Sequence, residues 1–334
     1  PQDVRRVWIP KPGSREERPL GIPTVRDRVV QTALLHVLEP IFEREFAEHS
    51  YGFRPNRGCK DALRRVDTLL KQGYRYVVDA DLRSYFDTIP QERLRARVAE
   101  RVSDGRVLDL VGLFLQQGVL DGLAHWRPTT GTPQGAVISP LLSNIYLNPL
   151  DHEMAQHGYE MVRYADDFVV LCRTQAQAEG ALERVRQWVE TNGLSLHPEK
   201  TRIADADGMG FAFLGYHFRA GQRWPRKKSR QKLQDVLRAK TRRTDGRSLE
   251  AIIVDLNRTL RGWYAYFKHA HRYTFGALDG WLRMRLRSLL RKRAGRRGRG
   301  RGWDNVRYRN AYFRAAGLFS LEEAWLAERQ SSRR

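Results

Sequence analysis

Two stretches decide the fold: Tyr76-Val77-Val78-Asp79-Ala80-Asp81, running on into Ser84-Tyr85-Phe86-Asp87, and Met161-Val162-Arg163-Tyr164-Ala165-Asp166-Asp167-Phe168-Val169-Val170-Leu171. Each sets carboxylates at the end of an apolar run that reads as a strand. The second reads as a hairpin with both aspartates at its tip. Two strands of one sheet can therefore present acids side by side. Adjacent carboxylates repel unless a positive charge lies between them, and a divalent metal pair supplies it. In such a site, ions about 3.5–4 Å apart serve the attacking and leaving oxygens of an in-line phosphoryl displacement. A plain polar turn is the alternative for the hairpin tip taken alone.

Composition favours a polyanionic partner. The chain has 334 residues, with 60 Lys and Arg against 38 Asp and Glu, a formal charge of +22 and a pI near 10.5. The base is concentrated: Arg283 to Arg301 holds no acid, and Arg223-Trp224-Pro225-Arg226-Lys227-Lys228 is a second run. Runs of this kind follow phosphates rather than read bases. Only Cys59 and Cys172 are present, too few for a disulfide framework or a zinc site, which points to a reducing cytoplasm. No stretch reaches the apolar length of a membrane span, and no secretory leader is visible.

Apolar spacing predicts a helix from about Asp27, with Val30, Ala33, Leu34, Val37 and Leu38 on one face and Pro40 interrupting it. A short hairpin is expected around Pro12-Gly13-Ser14. Ser139-Pro140 reads as a hydroxyl cap followed by proline in a first turn. Ala178, Leu182, Val185 and Val189 predict a helix over about Gln175–Thr191, ended by Gly193. Beyond Gly221 the composition shifts to Arg and Lys with aromatics at helical spacing, and this part is expected to be helical.

Several short stretches, in order, resemble the reverse transcriptases encoded by bacterial group II introns, of the type without an endonuclease module. They are Ile9-Pro10-Lys11-Pro12, Arg18-Pro19-Leu20-Gly21-Ile22-Pro23, Tyr51-Gly52-Phe53-Arg54-Pro55, the first aspartate block, Gly131-Thr132-Pro133-Gln134-Gly135 with Ser139-Pro140-Leu141-Leu142-Ser143-Asn144, the Tyr-Ala-Asp-Asp hairpin, Gly193-Leu194-Ser195-Leu196-His197-Pro198-Glu199-Lys200-Thr201 and Phe213-Leu214-Gly215-Tyr216. The stretch from Leu256 to Phe267 resembles the thumb, or maturase, domain of the same family. The resemblance implies an α/β (α+β) right-hand polymerase. Fingers (1–73) and palm (74–220) would be built on an antiparallel sheet flanked by helices, followed by a helical, basic thumb/maturase domain (221–334). Pro1 falls inside a mid-domain strand, so the N-terminal extension usual in that family is expected to be absent.

The resemblance also implies roles. Asp81, Asp166 and Asp167 with the carbonyl of Leu82 would hold two magnesium ions, for which manganese can substitute. Asp79 shares a strand face with Asp81 by period-two geometry and is the rival ligand. Phe86 would lie under the incoming sugar and exclude a 2′-hydroxyl, while a core phenylalanine is the plainer alternative. Lys11 and Arg18 would close on the triphosphate, with Gln134 and Gly135 beside the nascent base pair. Lys200 would protonate the leaving pyrophosphate, or else be one more exposed lysine. Arg54 and Arg57 would grip the template backbone, and Leu214-Gly215 would form the primer grip. Arg258, Arg261, Arg291, Lys292 and Arg293 would meet RNA, while Trp263 and Phe267 are expected in the core.

The function so implied is RNA-directed DNA polymerisation on an RNA template with a DNA or RNA primer, using deoxynucleoside triphosphates, combined with binding of intron RNA and help in splicing. Two alternatives use the same chain: a domesticated enzyme of CRISPR spacer acquisition, phage defence or diversity generation, and an RNA-binding splicing factor without polymerase activity. The second should have lost an aspartate, and all three are present.

Overall fold

A computed structural model describes residues 1–10, 17–300 and 302–331. The chain divides into two compact units, one of residues 1–214 and 219–221, the other of 215–218 and 222–334. In the first, strands β1 (Val4–Pro10) and β2 (Glu17–Ile22) precede helices α1 (Val25–Glu43) and α2 (Cys59–Lys71). Strand β3 (Tyr76–Asp81) leads to helices α3 (Tyr85–Thr88), α4 (Gln91–Ala99) and α5 (Gly105–Leu115), then to strands β4 (Val119–Asp121) and β5 (Ala124–Trp126). Helix α6 (Ser139–Gln156), the hairpin β6 (Glu160–Tyr164) and β7 (Asp167–Cys172), helix α7 (Gln175–Thr191) and strands β8 (Arg202–Asp205) and β9 (Phe211–Phe213) follow.

The central sheet runs β6-β7-β3-β8, every neighbouring pair antiparallel. Alternation along β3 sends Val78 and Ala80 into the main core, which also takes in Leu141, Ile145 and Leu150 of α6 and Val185 and Val189 of α7. Asp79 and Asp81 share the opposite face. A second sheet has the order β2-β1-β4-β5; β1 pairs antiparallel to β2, from Arg5 opposite Ile22 to Pro10 opposite Glu17, and parallel to β4. The turn expected around Pro12-Gly13-Ser14, and Lys11 with it, lie outside the described residues.

Helix α7 spans the interval that its apolar spacing predicts. Thr174 Oγ1 accepts from the Gln177 amide, and Gly193 takes φ +72° just past the end. Three local expectations need correction. Helix α1 continues through Pro40 to Glu43, because a proline this near the end removes only one of the last hydrogen bonds. Its apolar residues divide between two faces: Leu34, Leu38 and Phe42 are buried, whereas Val29 and Val37 are 65% and 58% exposed. Ser139 is the first helical residue of α6 rather than its cap, and its hydroxyl donates to the Pro133 carbonyl at 2.9 Å.

The second unit opens with strand rather than helix. Strand β10 (Tyr216–Arg219) and strand β11 (Gln222–Pro225) come before α8 (Lys227–Lys240), α9 (Leu249–Phe267), α10 (Tyr273–Arg293), α11 (Trp303–Arg307), α12 (Asn310–Ala315) and α13 (Leu321–Ser331). Ile252, Leu256, Leu260, Tyr264 and Phe267 form the buried stripe of α9, and the Tyr264 ring meets that of Phe275 on α10 edge-on at 5.6 Å. Among the described residues no helix is long and apolar enough to cross a membrane.

The two faces of α1 predict opposite responses to substitution. Val29→Glu or Val37→Glu should leave stability within about 0.5 kcal/mol of the parent. Leu38→Ala should cost about 2–5 kcal/mol, read by urea denaturation.

Candidate active site

The carboxylates come together through strand pairing. Asp81, the last residue of β3, lies directly opposite Asp167, the first of β7, and Asp167 also lies opposite Tyr164 across the hairpin. The turn is therefore Ala165-Asp166, with Ala165 at φ +59°. Directly opposed residues of antiparallel strands project to the same side, with Cβ atoms about 4.5–5.5 Å apart. Asp81 and Asp167 so leave one face of the sheet, and Asp166 stands on the turn beside them.

The electrostatics reflect this crowding. Burial pushes the Asp166 carboxyl above the ordinary carboxylate range, and the charge of Asp81 adds to the rise. Its own backbone N–H and the charges of Arg18 and Arg163 oppose it. Lys200 Nζ lies 3.1 Å from Asp81 Oδ2, so this lysine is an ion-pair partner at the site. Asp79, the rival ligand, has Arg202 Nε at 3.6 Å. Leu82 bridges to Leu196, but the hydrogen bonds there run from the Arg83 amide to the Ser195 carbonyl and from the His197 amide to the Asp81 carbonyl. The Leu82 carbonyl is not spent on that bridge.

Among the described residues, no three His, Cys, Asp or Glu side chains are gathered closely enough to hold a metal ion unaided. Three anionic groups without a cation repel, and Lys200 and Arg18 supply the positive charge that meets them. The available donors are nonetheless all oxygen: carboxylates on two adjacent strands and a nearby carbonyl. That set suits a hard cation such as magnesium or manganese, whose remaining positions go to water or substrate oxygens. A cation there would offset both the burial that raises Asp166 and the smaller contribution from the Asp81 charge.

Behind the turn lies a network that the sequence reading passed over. Arg163 is fully buried. Its Nε donates to both oxygens of Asp151 at 2.8 and 3.0 Å, and Nη1 donates to Asn144 Oδ1 and to the Ala165 carbonyl, both at 2.9 Å. Asn144 Nδ2 in turn donates to the Gly52 carbonyl at 2.8 Å, and the Tyr51 amide to the Arg163 carbonyl at 2.9 Å. A Cβ at Gly52 would overlap the amide nitrogen of Ala165. The signal available in sequence was an arginine inside an apolar strand, which demands a buried counter-charge.

The other expected residues separate into those near the turn, those committed elsewhere and those in the second unit. Phe86 is half-buried, edge-on to Tyr85 at 5.4 Å, and with Gln134 it lines a cavity of about 500 Å³. Gln134 Nε2 donates to the Asp87 carboxylate at 3.3 Å, and its carbonyl accepts from Gly21 at 2.7 Å. Gly135 has φ +108°, and a Cβ there would sit 2.6 Å from the Gly21 carbonyl. Arg18, on β2, is close enough to act on Asp166. Arg54 corrects the expectation of a template grip. It is buried, and its guanidinium donates to Glu43 and to the Ala47 and Ser50 carbonyls, which leaves it no surface for phosphate. Arg57 is half-buried and donates to the Glu48 carbonyl.

Leu214 and Gly215 both have positive φ, as a two-residue turn requires, and here the chain passes from one unit to the other. In the second unit Arg258 and Arg261 are exposed, with the Arg261 guanidinium 4.7 Å over Phe319. Phe267 is buried and Trp263 half-buried. Arg291 is bound to the buried Asp304 at 2.7 Å, so a free phosphate contact does not suit it, while Lys292 and Arg293 are exposed.

An antiparallel sheet backed by helices, presenting aspartates from adjacent strands at one end, defines the palm of a right-hand nucleic-acid polymerase. The chain belongs to the reverse transcriptase family: the profile described as reverse transcriptase (RNA-dependent DNA polymerase) matches residues 9–218. The group II intron, maturase-specific domain matches residues 227–309. Protein YkfC of Escherichia coli is 38% identical over 65% of this chain and 66% of its own length. Group II intron-encoded protein LtrA of Lactococcus lactis is 40% identical over 47% of this chain and 26% of its own. The matched segments thus span from about a quarter to just under two thirds of these relatives. Among solved structures, apo telomerase from Candida tropicalis aligns with TM-score 0.56 at 11% identity, covering 88% of this chain and 57% of its own, a likeness of fold alone.

The buried network carries its own prediction. Arg163→Met should cost about 3–5 kcal/mol, because it leaves the Asp151 carboxylate buried without its counter-charge. Adding Asp151→Leu should return most of that loss in urea denaturation. A double variant no more stable than Arg163→Met alone would show that the pair is not the source of the cost.

Proposed function

We propose that the protein is an RNA-directed DNA polymerase of a group II intron, which extends a primer 3′-hydroxyl along an RNA template with deoxynucleoside triphosphates and also binds its intron RNA to assist splicing. The pairing of Asp81 with Asp167, beside a turn carrying Asp166, is the observation that supports this reading most directly. In it, residues 1–73 act as fingers, 74–220 as palm and 221–334 as thumb and maturase domain.

Asp81, Asp166 and Asp167 with the Leu82 carbonyl would hold two magnesium ions, or manganese in their place, which when bound activate the hydroxyl and neutralise phosphate charge. The chain's own groups do the rest. Arg18 and Lys11 hold triphosphate oxygens, a planar guanidinium suiting bidentate contact. Lys200, already beside Asp81, stands where an ammonium can pass a proton to departing pyrophosphate. Phe86 and Gln134 border the nascent pair, with the phenyl ring occupying the space of a 2′-hydroxyl. Leu214-Gly215 supports the primer end, and Arg57 meets the template backbone.

The maturase match to residues 227–309 favours the intron role over a domesticated one. Exposed Arg258, Arg261, Lys292 and Arg293 would contact intron RNA, and a cytoplasmic location follows from that work.

Primer extension on an RNA template, with deoxy- and ribonucleotides offered separately, tests the reading. Asp166→Asn should abolish addition while primer–template affinity stays within about twofold. In the same assay Phe86→Val should admit ribonucleotides. Extension by Asp166→Asn at a rate comparable to the parent would overturn the assignment.

A further inference from the structure

In the stretch Tyr51-Gly52-Phe53-Arg54-Pro55, Phe53 is the aromatic side chain that the fold leaves outside. The residue is 53% exposed, and its ring lies 6.2 Å from that of Tyr164, at 43°, beside the turn that carries Asp166. Its backbone is in the left-handed region, with φ +56°. For a bulky residue that conformation is an outlier, and it persists only where the surroundings over-determine it.

The surroundings do so here. On one side Gly52 is pressed against Ala165 and held by Asn144, and the Tyr51 amide is bonded to Arg163. On the other, Arg54 is locked onto Glu43, Ala47 and Ser50. With both neighbours fixed, the phenyl ring is turned to solvent. Glycine or asparagine would adopt this φ with less strain and leave no aromatic surface in water. The loop geometry does not call for a phenylalanine, and the tilted contact with Tyr164 still leaves about half of the residue in solvent, surface that a ligand with a flat apolar face would cover.

A nucleobase has such a face, and stacking on an exposed aromatic ring tolerates any base. Bases inside a duplex already have both faces covered, so the base with a face to offer is an unpaired one. Arg57, half-buried and four residues along the chain from Phe53, supplies positive charge for the backbone of the same strand. We propose that Phe53 is a stacking platform for an unpaired nucleobase of the RNA template where that strand passes the Ala165-Asp166 turn. This rests on the polymerase reading and names a contact of the same site.

The test compares Phe53→Gly, Phe53→Asn, Phe53→Leu and Phe53→Trp with the parent. Binding is read by fluorescence anisotropy of a labelled DNA primer annealed to an RNA template, either with an unpaired 5′ extension or blunt. Phe53→Gly and Phe53→Asn relieve the strained φ, so their unfolding midpoints should be no lower than the parent's. Their affinity for the extended template should nevertheless fall roughly five- to a hundredfold. The template KM should rise with kcat nearly unchanged. Phe53→Leu should show the same loss, Phe53→Trp should keep parental affinity, and the blunt duplex should discriminate little among them.

Parental affinity in a folded Phe53→Gly or Phe53→Asn variant would overturn the proposal. So would parental affinity in Phe53→Leu, which would mean that apolar bulk suffices, or an equal loss on the blunt duplex. A parent that fails to extend primers would instead sink the polymerase reading, while the binding arm would still decide the role of Phe53.

Discussion

A guanidinium with no access to water anchors this molecule's site. Arg163 cannot be solvated where it lies, so its charge has to be met by Asp151 and its remaining hydrogens by Asn144 and the Ala165 carbonyl. Those partners come from α6 and from the turn itself. Through Asn144 the network reaches Gly52, and through its own backbone Arg163 reaches Tyr51. The turn that carries Asp166 is thereby fixed from behind, by bonds to its Ala165 carbonyl and to the strand leading into it.

Fixing the turn in this way sets a conflict in front of it. Strand pairing places Asp167 against Asp81, and the partly desolvated Asp166 already shows the strain as a raised proton affinity. The protein meets that negative charge with cations from outside the strands, Lys200 from the segment after α7 and Arg18 from β2. In a chain of net charge +22 these acids form a local negative focus inside a positive field. The arrangement suits a cation bound between strands, with polyanions held around it.

The aspartate-bearing strands were legible because they obey simple periodicity: apolar residues alternate, acids sit at the ends, and α7 carries its stripe and cap. What escaped depends on partners outside the periodic pattern of the element itself. Nothing local distinguishes Arg54 as buried, because its acceptors include Glu43 and the Ala47 carbonyl at the far end of another helix and a loop. Arg291 looked like one more member of a basic run, yet its partner Asp304 lies beyond that run. In α1 both faces are apolar, so spacing alone could not say which one faces the core. Ser139 had the chemistry of a cap but spends its hydroxyl on the Pro133 carbonyl.

Short motifs spread along so much chain carry information together because their backbones touch in space. The Gly21 amide bonds the Gln134 carbonyl, and Gly135 leaves room for nothing larger against Gly21. A Cβ at Gly131 would sit 2.6 Å from the Phe86 carbonyl, whose oxygen accepts from Thr132. The Arg83 amide bonds the Ser195 carbonyl, and the His197 amide bonds the Asp81 carbonyl. Each motif is thus the local answer to another one's close approach, and backbone contact at that range fixes residue type more tightly than side-chain packing does. Segments between the motifs carry no such constraint. Their lengths can vary at the modest entropic cost of a longer loop, whereas one residue inserted within a motif would shift every paired amide at the site.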